Sequence, residues 1–124
     1  MSKIEKNYCC ELVASVTGES VRIFGYSLEE SCRVYERIIK RMVSDEQKAI
    51  EQGRYALFIL EQIEQFPFVE RIVRLRYAGL LLNNAIGILE ASEKNIRTRY
   101  SRQIELFRKN YLIADKLLQQ YRAL

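Results

Sequence analysis

Proline occurs once in this chain of 124 residues, at Pro67, and it marks the sharpest boundary in the sequence. A proline disfavours helical geometry at the residue before it, here Phe66, while its fixed φ suits the first turn of a new helix. The segment "PFVERIVRLRYAG" therefore starts a separate element, predicted to end near Gly79. Elsewhere helix breakers are scarce. Only five glycines stand among abundant Leu, Ile, Glu, Lys, Arg and Gln, which predicts an all-α fold. The length suits one domain, or a small domain with an attached arm, and is enough to bury a real core.

Ahead of Pro67, Ile4, Tyr8, Leu12 and Val16 recur at four-residue spacing with Gly18 as a stop, which predicts a short first helix. "ESVRIFGYS" alternates Val21 and Ile23 before Gly25, a short extended piece or a loop and too little for a sheet. "SLEE" at 27–30 reads as a capping box, in which Ser27 accepts from exposed backbone N–H groups and Glu30 reaches back. From there Leu28, Cys32, Tyr35, Ile39, Met42, Ala49, Ala56, Leu60 and Ile63 follow a heptad pattern with Glu46 and Gly53 as gaps. Two readings stand for this stretch. It forms one long helix to Gln65, or it breaks at "VSDEQ", where Ser44 and Gln47 make a second capping box, and folds into an antiparallel hairpin. Residues 1–66 are in either case expected to be a helical arm for packing or oligomerisation.

Beyond Gly79 the pattern predicts a short helix over Leu82 to Leu89, a tight turn at "LEAS" and a last helix capped by Ser92. Ile96, Tyr100, Ile104, Phe107, Tyr111, Ala114, Leu118 and Tyr121 track one face of that last helix, which runs almost to the terminus or breaks near Asn110. Its overhang, with Leu112, Leu117 and Leu118, needs a partner: the N-terminal helices or a second copy.

The chemistry-bearing residues are mostly missing. The chain has no histidine, which removes the commonest general base and nitrogen metal ligand. It has no Gly-rich phosphate loop and no nucleophile elbow. Cys9, Cys10 and Cys32 lack paired metal or redox spacing and read as reduced, buried thiols. Glu29 and Glu30 fit the first turn of a helix, where the dipole favours acids. The expectation is a protein that is not an enzyme and holds no cofactor or metal. "MSKIEKNYCCEL" lacks the uninterrupted apolar core of a signal peptide, and no apolar run approaches the roughly 20 residues of a membrane span. A cytoplasmic protein is expected.

Charge is unevenly spread. Residues 67–110 hold nine Arg or Lys against four Glu, whereas residues 1–66 hold nine basic against eleven acidic side chains. Three helices, the last two joined by a tight turn and the last one basic, make a helix-turn-helix, whose second helix reads the DNA major groove. "VERIVRLRYAGLLLNNAIGILEASEKNIRTRYSRQIELF" resembles region four of bacterial sigma factors and its LuxR-type relatives: L-R-Y late in the first helix, a glycine turn, a short helix ending in I-L, then a capping Ser before a basic helix. A helical arm followed by such a unit is similar to small transcription regulators of phages and mobile elements, such as the ArpU and RinA types. Three positions depart from the family pattern. Glu90 stands where a turn glycine is usual, Ala85-Ile86 replaces Ile-Ala, and Leu81 and Leu82 replace polar capping residues.

The resemblance implies a sequence-specific, DNA-binding transcription regulator in a bacterial host cell, with residues 67–124 as the binding unit and a recognition helix over about 93–106. Ile96 and Tyr100 then face inward. Lys94, Asn95, Arg97 and Thr98 are placed to reach bases, Arg suiting guanine and Asn adenine. Arg99, Ser101 and Arg102, with Arg71, Arg74 and Arg76 from the preceding helix, are placed for phosphates. The heptad seam and the overhang suggest a homodimer on a palindromic site. The alternatives are a protein-interaction module that binds RNA polymerase or another bacterial protein through a degenerate helix-turn-helix, and a ring-forming phage DNA-packaging recognition subunit.

Overall fold

The computed structural model describes residues 27–124, and every regular element among them is helical. The expected helix over 4–16, the Val21–Ile23 piece, Cys9 and Cys10 lie outside the described residues. Helices α1 (Leu28–Arg41), α2 (Asp45–Glu61), α3 (Phe68–Ala91), α4 (Lys94–Arg99) and α5 (Ser101–Arg122) follow in order, with a 3-10 turn at Ile63–Gln65.

Contacts divide the described residues into two units, 27–40 and 41–124. In the first, Ser27 caps α1: Glu30 N donates to Ser27 Oγ at 3.2 Å. Tyr35 and Cys32 are buried on this helix. The chain leaves helical geometry over Met42–Ser44. Gln47 N then donates to Ser44 Oγ at 3.2 Å and starts α2. Of the two readings of this stretch, the break is the one that forms, because the cap satisfies an N–H that a new helix start would leave orphaned.

In the second unit α3 packs against α2 and α5, and Pro67 does what its chemistry requires. Phe66 is extended (φ −75°, ψ 148°), and α3 starts just after the proline. The heptad positions Ala49, Ala56, Leu60 and Ile63 are buried inside the protein, so they offer no seam to another chain. Gly53, a gap in that pattern, has a positive role. A side chain there would run into the ring of Phe107, itself 1% exposed. The glycine thus lets α5 lie against α2.

Three expected boundaries are corrected. The helix begun at Pro67 does not stop near Gly79, and no separate helix covers 82–89: α3 is continuous for 24 residues. Leu75, Ala78, Leu82, Ala85 and Leu89, all buried, step through Gly79 without interruption. An interior glycine costs about 1 kcal/mol, which is small beside the several kcal/mol that such a buried stripe contributes. Glu90 accordingly sits in the last turn of a helix, not in a left-handed turn, and pairs with Arg108 at 2.6 Å. Ser92 ends α3 instead of capping the next helix, its Oγ donating to Ile88 O at 2.7 Å. The predicted last helix is broken once, at Tyr100. The helix-turn-helix with those boundaries is therefore absent.

Helix α3 is long and apolar enough, by length and composition, to cross a membrane. The expectation that no apolar run approaches that length does not hold for this helix, in which Arg74, Arg76, Asn83 and Asn84 interrupt the apolar residues. Its buried residues pack on α2 and α5, and about one third of its apolar stretch is buried. One buried acid stands apart: Glu51 is 1% exposed, and neither carboxyl oxygen has a hydrogen-bond partner among the described residues. Burial pushes its pKa up to about 7, opposed by the charge of Arg54.

Candidate nucleic-acid interface

Two extended residues, Ser92 (φ −74°, ψ 167°) and Glu93 (φ −58°, ψ 153°), turn the chain out of α3. Ile96 N and Arg97 N both donate to Glu93 O at 3.0 Å, which starts α4. At Tyr100 (φ −105°, ψ 20°) the helical dihedrals lapse for one residue. Tyr100 N still donates to Ile96 O at 3.0 Å, and its own carbonyl accepts from Ile104 N at 2.9 Å. The result is an elbow bracketed by these two helical hydrogen bonds. Ile104 and Phe107 anchor the next turns in the core. Ile96 and Tyr100, expected to be fully inward, are only half-buried.

Residues 92–109 contain six cations and two carboxylates, an excess equal to the +4 of the whole chain. The remainder is electrically balanced. Lys94, Arg97, Arg99, Arg102 and Lys109 are exposed and make no ion pair within the described residues. Arg108 is held by Glu90. Arg108 and Lys109 were missed as site residues because they fall past the first turns of the expected recognition helix. Counting charge to the end of the basic run would have included them.

The predicted base-reading residues differ in what they retain for a ligand. Asn95 Oδ1 accepts from Ile96 N at 2.9 Å, so the side chain offers its NH₂ group. Thr98 donates its hydroxyl proton to Lys94 O at 2.8 Å and keeps only acceptor capacity. Lys94 and Arg97 retain their full donor sets. Arg97 and Ser101 line an open groove of about 390 Å³ with Glu90, Ile104, Glu105 and Arg108. An anion entering there meets two carboxylates, whereas Lys94, Arg99 and Arg102 stand outside this groove.

The arginines of α3 lie in different surroundings. Arg71 Nε donates to Phe66 O at 3.1 Å, one terminal nitrogen to Glu64 O at 2.9 Å and the other to Tyr121 Oη at 3.4 Å. Its guanidinium also sits 5.5 Å and 5.7 Å from the ring centroids of Phe68 and Tyr121. It ties the turn before Pro67 to the end of α5. Arg74 lies 4.8 Å over the Phe66 ring. Arg76 is exposed, on a different groove, between α3 and α5. The structure thus groups Lys94, Asn95, Arg97, Thr98, Arg99, Ser101 and Arg102 at the elbow and does not bring the α3 arginines into that group.

Compared with protein-family models, with curated proteins and with solved structures, the chain matches none.

Proposed function

We propose that this protein binds double-stranded DNA through the basic elbow at residues 94–102 and acts as a small transcription regulator. The observation that carries the reading is that the whole excess charge of the chain lies in residues 92–109, on exposed side chains mostly without carboxylate partners. Phosphate binding by Lys and Arg releases condensed counterions and supplies most of the affinity in such complexes. Lys94, Arg99 and Arg102 serve the phosphates. Arg97 and the Asn95 NH₂ group suit base edges, an Arg matching guanine O6/N7 in two hydrogen bonds. The resemblance to sigma region four adds to this reading through "LRYAG", "GILEAS" and the basic run after them. The absence of separate helices over 67–79 and 82–89 takes away its docking geometry.

The test is titration of labelled mixed-sequence duplex by the full chain, read by anisotropy at several salt concentrations. Binding that weakens steeply with salt, and further in Arg97→Ala, is the expected outcome. No binding at about 50 mM salt overturns the proposal. An exposed apolar groove between α3 and α5 favours a second reading, a module that binds another bacterial protein such as RNA polymerase. Retention of polymerase by the chain in the absence of DNA is the measurement that favours that reading.

A further inference from the structure

Helices α3 and α5 leave between them an open groove of about 270 Å³ on the second unit. Gly79 and Ala114 line it with small residues, while Leu80, 68% exposed, and Tyr111 stand at its lips. Apart from its chain neighbours Ala78 and Leu80 and the backbone of its own helix, no heavy atom lies within 4 Å of where a Gly79 side chain would begin, so the notch is open. Val73 and Val69, also exposed, lie two and three turns earlier on the Leu80 face, with Arg76 between Val73 and Leu80. Exposed apolar side chains repeated along one helix face mark an association surface more often than scattered ones do.

The charges at the groove indicate what covers it. Arg76 of α3 and Asp115 of α5 both line it, and neither forms an ion pair within the described residues. The Asp115 carboxylate accepts a hydrogen bond from Gln119 Nε2 at 3.1 Å. The patch therefore holds a protruding Leu80 beside an open notch, and a cation beside an anion. A two-fold contact requires that one surface carry both halves of every interaction.

We propose that this groove is the self-association surface of the protein and that its occupant is a second copy of the chain. A two-fold axis through the groove seats Leu80 of each copy at the Gly79 notch of the other and sets Arg76 of each against Asp115 of the other. The contact is independent of the nucleic-acid reading, since it uses none of the elbow residues, and it stands or falls whether or not DNA binds.

Light scattering and sedimentation equilibrium of the full chain test it. The unaltered protein is expected to dimerise in the micromolar range. Arg76→Glu and Asp115→Arg each weaken self-association by about tenfold or more, because each places like charges across the axis twice. Mixing the two variants in equal amounts restores a dimer, since the mixed pair has opposite charges at both contacts. Leu80→Asp, an exposed position, yields a monomer with unchanged helical circular dichroism. A chain that stays monomeric at about 200 µM overturns the proposal. So does a mixture that associates no better than its separate components.

Discussion

Arg71 of α3 and the cations of the elbow are alike as sequence and opposite as chemistry. Arg71 makes three intramolecular hydrogen bonds and lies against two rings. Lys94, Arg99 and Arg102, some twenty to thirty residues further on, pair with no carboxylate among the described residues. The difference comes from what lies nearby. The 3-10 turn before Pro67 leaves carbonyls at Glu64 and Phe66 without helical donors, and a planar guanidinium fork satisfies both. An arginine is available to a ligand only where the fold around it has no use for it.

The largest effect is expected at the elbow. Replacing Lys94, Arg97, Arg99 and Arg102 together by Ala should weaken duplex binding about a hundredfold at low salt and flatten the salt dependence by about three to four units of slope, with the melting temperature unchanged. Arg71→Ala should do the reverse, lowering stability to urea by about 2–3 kcal/mol while the salt slope of binding stays the same. Arg71→Lys should not restore it, because an ammonium cannot reproduce the fork. A fall in salt slope for Arg71→Ala with stability intact would break the contrast between the two sets.

Acids show the same division. Glu51 has a folded pKa of about 7 against 4.5 for the free side chain, so the folded state holds an extra proton between those values. Stability is therefore full below about pH 4.5, falls as the pH rises toward 7, and is level above it. Glu51→Gln should stabilise the protein by about 2 kcal/mol at pH 8 and leave it unchanged near pH 4, measured by chemical denaturation. Glu90, 44% exposed and paired with Arg108, belongs to the other class. Glu90→Gln should change stability by less than about 1 kcal/mol, and should tighten DNA binding about twofold by releasing Arg108.

The features legible in the sequence were those that local chemistry decides. The serine caps at Ser27 and Ser44 and the boundary at Pro67 each depend on groups a few residues apart. The expected stop at Gly79 failed because a glycine weakens a helix without ending it, and the decisive signal was the heptad of Leu75, Ala78, Leu82, Ala85 and Leu89 running through it. Gly53 looked like a defect because the ring that occupies its place comes from Phe107, far along the chain. At the site, the basic run was plain in the sequence. The Tyr100 break was not, since no proline, glycine or polar gap announces it, and neither was the use of Arg71 by carbonyls of a turn.

The seating of Phe107 against Gly53 also fixes a phase. Each residue of an α-helix advances about 100° around its axis, and α5 is continuous from Ser101 to this ring. The angle at which the elbow presents its cations is therefore set by the number of residues between Tyr100 and Phe107, counted from a point that cannot turn. One residue inserted between Arg102 and Ile104 would swing the whole elbow by about 100° while Phe107 and Ala114 kept their places. The glycine on α2 acts as the index mark against which the direction of the basic surface is measured.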